Sequence, residues 1–222
     1  MLAHYSGDQA LRDAYDDDAD IHTRVAAEVN GISESDVTSE QRRVAKSINF
    51  GIVYGQSPFG LAKALRISKD EARDYIERYF ARYQGVEQFM MQTLADCRRD
   101  GYVTTMLGRR RDVHGVRDLA KLNPAKRRSL TEPERIAINM PIQGTAADLI
   151  KLAMLRVFAA LKTTSLRARL LLQIHDELLF EVHRDDVAPL ADLVRDEMCS
   201  VAELEVPLKV DVAWGENWGL LD

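Results

Sequence analysis

From Leu2 to Asp100 the apolar residues recur at helical spacing, and from Tyr102 onward short β-prone runs appear among the helices. This change of period constrains the fold more than any other feature, because a 3.6-residue pattern does not settle as a strand. It predicts an α+β chain in two parts: a helical part over 1–101 and a mixed part over 102–222. Start signals divide the first part. Leu2 to Tyr15 reads as a short helix ending in the acidic run Asp16-Asp17-Asp18. Asp20 caps a second helix that Asn30-Gly31 closes, and Thr38 with Gln41 and Ser68 with Glu71 form capping boxes. Phe59 to Leu65 is a brief helix, the Ser68 helix runs to about Tyr83, Gln84-Gly85 turns the chain, and Val86 to Arg99 is helical again.

In the second part, Tyr102 to Met106 turns through Leu107-Gly108-Arg109-Arg110 into a return strand beginning at Arg111. His114 to Thr131 is polar and irregular, a long loop. A helix starts at Pro133, is interrupted by Pro141, and resumes from Ala146 to Leu161. Arg167 to Ile174 and Leu178 to Val182 read as strands around a His175-Asp176-Glu177 turn. Asp185 to Ala202 is helical and Pro207 to Val212 is a last strand.

With 222 residues, 46% hydrophobic and 29% charged, the composition is that of a globular protein. Its longest apolar runs, such as Leu170 to Ile174, are far too short for a bilayer, so no membrane contact is expected. The N-terminus shows no secretion signal, and Cys97 and Cys199 match no metal-binding spacing. Two reduced thiols in a cytoplasmic protein is the default reading. Net charge is −5, yet the cations gather in knots at Arg42-Arg43, Arg98-Arg99, Arg109-Arg110-Arg111 and Lys126-Arg127-Arg128.

Two places carry chemistry. On a helix, Arg42, Lys46, Phe50 and Tyr54 lie four residues apart and form one stripe, cationic first and aromatic second. Such a stripe offers charge to a polyphosphate and a flat surface to a base. The plain alternative is an amphipathic helix with a solvated basic end and a buried aromatic end. Gly51 and Gly55 favour the first reading, since a glycine inside a helix costs roughly 1 kcal/mol. A surface approached by another molecule gives a reason to accept that cost. The second place is Asp176-Glu177 at a strand-to-strand turn. A carboxylate buried there needs a compensating cation, and its hard oxygens suit magnesium. An ordinary acidic turn is the alternative.

The pattern Arg42-x-x-x-Lys46-x-x-x-Phe50-Gly51-x-x-Tyr54-Gly55 resembles motif B of the family A DNA polymerases. Gln143-Gly144-Thr145-Ala146-Ala147-Asp148 is similar to the family's palm helix segment, and His175-Asp176-Glu177 to its motif C, in the same order. The likeness runs from His4 to Trp218. It implies helical fingers and a partial palm with a small antiparallel sheet, and DNA synthesis from dNTPs on primer-template DNA by a two-metal mechanism with Mg2+. Within it, Arg42 and Lys46 hold the triphosphate and act in catalysis, and His22, Phe50 and Tyr54 also bind the dNTP. Phe50 stands where some relatives carry tyrosine, and it is the phenylalanine, lacking the hydroxyl, that in the family goes with rejection of dideoxynucleotides. Asp176 is the catalytic metal ligand. His175 and Glu177 flank the primer end, and Arg135, Asn139 and Gln143 form a polar stripe against the DNA minor groove. The family's other metal aspartate lies in motif A, just before the segment resembling Leu2-Ala3-His4. The expectation is therefore a fragment with one side of the metal site, inactive alone, with a separate polypeptide supplying motif A and thumb, or a non-catalytic DNA- or nucleotide-binding piece, as the alternatives.

Overall fold

In the computed structural model, residues 1–16, 20–119 and 130–220 are described. The chain divides into two compact units, 1–145 and 146–222. Among the described residues the architecture is α+β, mostly helical with two small antiparallel sheets.

The first unit is built on capped helices. The chain leaves α1 (Leu2–Ser6) through Gly7 at φ 61, so the expected single helix to Tyr15 is two, the other being α2 (Gln9–Asp16). Then come α3 (Ile21–Asn30), α4 (Ser39–Val53), α5 (Pro58–Leu65), α6 (Lys69–Arg82) and α7 (Gln84–Asp100). Asp20 caps α3 by accepting from the His22 and Thr23 N–H groups, and both predicted capping boxes form. The inner faces of α3 to α6 meet through Val25, Val29, Ile48, Ile52, Leu61, Leu65 and Tyr79, all buried. At the edge of this core Glu28 accepts from Arg82 and from the Tyr83 hydroxyl at 2.6 Å, tying α3 to the end of α6. No turn forms at Gln84-Gly85. Instead α7 starts there, and Gly85 lets the loop between α1 and α2 lie against it: a Cβ at Gly85 would stand 2.9 Å from Asp8 Cβ. Asp8 Oδ2 accepts from the Gly85 N–H at 2.9 Å.

Beyond Gly101, β1 (Tyr102–Thr104) pairs with β2 (Arg110–Asp112), followed by α8 (Val116–Leu119) within the stretch expected as a loop. Much of that stretch, with the Lys126-Arg127-Arg128 knot, lies outside the described residues. Helix α9 (Glu132–Leu161) is continuous, with Pro141 inside it. Proline removes one ladder N–H, but Ala137, Ile138, Met140 and Ile142 are all buried around it, and packing overrides the break. The first half of α9 closes a second core with Leu94, Cys97, Val103, Val113 and Val116.

The second unit takes the rest of α9, the hairpin β3 (Ala168–Ile174) and β4 (Glu177–Val182), and α10 (Val187–Cys199). Val157, Leu190 and Val194 form its core, joined by Leu161, Ala168, Phe180 and Val182 from the helix and hairpin. A 3-10 turn at Arg184–Asp186 precedes α10, so the helix is shorter than the Asp185 to Ala202 expected. No strand forms over 207–212. Its alternating pattern is strand-like, but a strand needs a neighbour for its backbone groups, and among the described residues that stretch pairs with none. Among the described residues no helix is long and apolar enough to cross a membrane.

Candidate functional site

On α4 the inward face carries Ala45, Ile48 and Ile52, all buried, and the opposite face carries the Arg42, Lys46, Phe50 ridge. Tyr54 follows as the C-terminal cap. Phe50 is 48% exposed and Tyr54 43% exposed, with their rings stacked at 6.5 Å and 20°. The aromatic end is therefore not buried, and the plain amphipathic alternative fails on that point. Two large rings left beside cations in water form a surface with unmet contacts, which is the informative kind of exposure.

The two glycines have a different cause from the one expected. Gly55 lies outside the helix at φ 63. The Gln56 N–H donates to Gly51 O at 2.8 Å and the Gly55 N–H to Ile52 O at 2.9 Å, the paired bonds of a Schellman termination. A Cβ on Gly55 would stand 2.9 Å from Arg135 Cγ, and one on Gly51 would stand 2.9 Å from Gln56 Oε1. These glycines make room for the chain's own side chains. They are not evidence for a visiting molecule.

The same geometry brings Arg135 of α9 beside the end of the α4 ridge. Arg135 and Gln143 are exposed and Asn139 is half-buried, with its Oδ1 buried and without a partner among the described residues. Arg109 donates to the Gly144 carbonyl at 2.9 Å, next to Gln143, and was visible in the sequence only as part of a basic knot.

At the other end of the ridge, two N–H groups of Arg42 converge on Asp20 Oδ2 at 2.9 and 2.6 Å. Asp20 Oδ1 meanwhile caps α3. The Arg42 hydrogen bond, foremost, holds the Asp20 carboxyl down to about 2. His22 lies on the same side: its Nδ1 is 3.2 Å from Asn49 Nδ2 and its ring 6.0 Å from that of Phe50. Burial lowers the His22 pKa, with Asp20 pulling upward and Arg42 and Lys46 downward. The imidazole is thus neutral at neutral pH. Sequence reading found Asp20 as a cap and as part of an acidic run, and missed Asn49 altogether. An asparagine in a helix interior, one residue before an exposed ring, was the available signal.

The basic knots are weaker than they read. Arg43 pairs with Glu40, Arg99 with Asp96 and Asp100, and Arg110 with Asp112, while Arg98 is taken by the buried Glu134. Among the described residues, these acidic partners offset part of the field that a phosphate backbone would feel.

In the second unit, Ile174 pairs with Glu177, leaving His175-Asp176 as a two-residue turn. His175 adopts φ 52, the left-handed region that such turns demand and that costs a side-chain-bearing residue free energy. Gln173 Nε2 donates to the His175 carbonyl at 2.8 Å and steadies the turn. A bulge shifts the register between Leu170 and Leu172, just before the tip. His175, Asp176 and Glu177 are all exposed, so the expected buried charge is absent. The carboxylates reach solvent at the end of the hairpin and need no cation to offset desolvation. Among the described residues no group of three His, Cys, Asp or Glu side chains is arranged to hold a metal. What the tip offers is two adjacent hard-oxygen donors, compatible with magnesium, which takes one or two carboxylates and fills its remaining positions with water and phosphate.

Comparison with known proteins assigns this arrangement to a family. DNA polymerase family A matches residues 1–220. DNA polymerase I of Mycobacterium leprae is 43% identical over 219 residues, covering 99% of this chain and 23% of the relative. That of Chloroflexus aurantiacus is 47% identical over 219 residues, covering 98% and 22%. The polymerase domain of Pol1 from M. smegmatis, solved in complex with DNA primer-template and dNTP, superposes with a TM-score of 0.88 at 42% identity, over 98% of this chain and 37% of that one. The chain thus spans about a quarter of the length of the curated relatives it matches. With the match running almost end to end, the chain belongs to DNA polymerase family A.

Proposed function

We propose that this chain carries the nucleotide-holding ridge and one acidic wall of a template-directed DNA polymerase, which transfers deoxynucleoside monophosphates from dNTPs to a primer 3′ hydroxyl. Residues 1–101 serve mainly as fingers, with a palm-derived N-terminal helix, and 102–222 as part of a palm. Arg42 and Lys46 grip the triphosphate, and charge-assisted bonds from both neutralise the negative charge that develops on it. Phe50 and Tyr54 stack against the base pair being formed. His22 contributes a polar contact to the triphosphate. Arg135, Asn139 and Gln143 contact the primer-template, and His175 and Glu177 flank the primer end. Asp176 is the ligand for Mg2+, with Glu177 beside it. Magnesium held there supplies Lewis-acid charge neutralisation for phosphoryl transfer. A two-metal centre draws carboxylates from two places, and the β3–β4 turn supplies one of them.

The observation that carries this reading is the solvent-exposed stack of Phe50 on Tyr54, continuing the Arg42 and Lys46 row on one helix. Titration of the chain with dATP tests it. Lys46→Ala is expected to weaken binding at least tenfold, since a hydrogen bond to a charged group is worth roughly 1.5–3 kcal/mol. Unchanged affinity refutes the ridge. Primer extension with magnesium forms the second arm. Extension that disappears in Asp176→Ala assigns a complete centre to these residues. No extension with dATP binding retained assigns them the nucleotide-holding role, the second reading.

A further inference from the structure

We infer that Asn49 fixes the tautomer of His22, reserving the Nε2–H of the imidazole as a donor for the anionic ligand of the α4 ridge. The ligand rests on the triphosphate reading above, whereas the tautomer is inferred from the contact between Asn49 and His22.

The primary amide nitrogen of Asn49 can only donate, and it stands 3.2 Å from His22 Nδ1. In that arrangement Nδ1 is an acceptor, so the neutral ring carries its proton on Nε2. The groups that bear electrostatically on this ring are Asp20 at the start of its own helix and Arg42 and Lys46 from α4. The two cations, with burial, keep the ring neutral, so which nitrogen holds the proton decides what the ring can do. With Nε2–H it donates to an anion. With Nδ1–H it presents a lone pair and repels one. Two side chains of α4 hold the ring in place, Asn49 at one nitrogen and Phe50 at 6.0 Å between ring centres.

Asn49 is a poor choice for stability alone. Its Oδ1 is buried with no partner among the described residues, which costs desolvation energy that an apolar leucine, branched at the same carbon, avoids. Asparagine is also disfavoured in a helix interior. What asparagine supplies and leucine lacks is the donor at Nδ1.

Nitrogen-15 NMR of histidine in the 222-residue chain reads the tautomer directly and without ligand. The expected native state is the Nε2–H form at neutral pH, with a mixture in Asn49→Ala. A native Nδ1–H form overturns the inference. A dATP titration then asks whether Asn49 works through His22. Asn49→Leu is expected to weaken binding about fivefold, on the scale of one neutral hydrogen bond, with an unchanged or higher melting temperature. In a His22→Ala background the same substitution should have no further effect. An equal loss in both backgrounds overturns the inference, because Asn49 then acts by packing. If Lys46→Ala leaves dATP binding unchanged, the triphosphate reading falls and takes the anion with it, while the NMR result still stands or falls by itself.

Discussion

Asp20 holds two jobs with two oxygens, and they can be separated. Oδ1 caps α3, and Oδ2 accepts both N–H groups from Arg42. Asp20→Asn keeps a good cap through Oδ1 and replaces the charged Oδ2 with an amide nitrogen that cannot accept from Arg42. The drop of the Asp20 carboxyl from 3.8 to about 2 would be worth about 2.5 kcal/mol if fully realised. Because 42% of the side chain is exposed, solvent screening reduces that figure to about 1 kcal/mol. Asp20→Asn is therefore expected to lose about 1 kcal/mol, a melting shift of ~2–4 °C for a chain of this size. Asp20→Ala loses the cap as well, about 1 kcal/mol more.

The pH dependence has a definite sign. The folded pKa lies below the unfolded one, so the ion pair contributes fully above 3.8 and is lost as pH falls towards about 2. Denaturant midpoints of native chain and Asp20→Asn should differ by a constant amount near neutrality and converge across that acid window. Binding should move the other way: with Arg42 released from its internal carboxylate, dATP affinity rises by up to about fivefold, the equivalent of about 1 kcal/mol. An Asp20→Asn chain as stable as the native one, or a gap that persists below pH 2, refutes the energetic argument. Weaker dATP binding refutes the competition, and Asp20 would then be orienting Arg42 for its ligand.

Four further outcomes follow from the same coordinates. Phe50→Ala removes half of the exposed stack and should weaken dATP binding by ~1–3 kcal/mol in the same titration, with little change in melting temperature. Gly55→Ala forces a side chain into φ 63 against Arg135 and Leu130, and should lower stability by at least ~1 kcal/mol in thermal melts. Arg98→Ala removes the Arg98 guanidinium from Glu134, 1% exposed and still bound to Thr131, with an expected loss of roughly 3 kcal/mol by denaturant titration. His175→Gly relieves the left-handed turn and should stabilise the chain by ~0.5–1 kcal/mol in the same titration.

Local chemistry explains why much of the fold was readable beforehand. A capping box or an Asx cap is satisfied within three or four residues, so Thr38, Ser68 and Asp20 mark helix starts wherever the helices end up. Pro141 and the 207–212 segment misled for the opposite reason. Whether a proline is tolerated depends on four buried apolar neighbours, and whether an alternating run becomes a strand depends on a distant partner. Neither fact is local. The basic knots fall between these cases, since the pairs Arg43–Glu40 and Arg110–Asp112 were within reach of sequence spacing, whereas Arg98–Glu134 spans 36 residues.

The α4 ridge remains the candidate site on a different premise from the one the sequence offered. Its four side chains recur every four residues, and helix geometry alone aligns them. The glycines offered as support report on chain termination and on the neighbouring Gln56 and Arg135. What sustains the site is instead a property no spacing reveals, the exposure of Phe50 and Tyr54 beside Arg42, Lys46 and His22. Burying those two rings against other parts of the chain would have stabilised it. Their exposure leaves apolar area whose free energy is realised only when something flat lies on it. In the same helix, Asn49 leaves an amide oxygen buried without a partner among the described residues, and Arg42 is held by an acid that the proposed triphosphate would have to replace. Three departures from the most stable arrangement fall in the single stretch from Arg42 to Tyr54, while Ala45, Ile48 and Ile52 on the opposite face of α4 are packed without any. A helix so divided is stabilised by one side and leaves the other side exposed, as the proposed ligand requires.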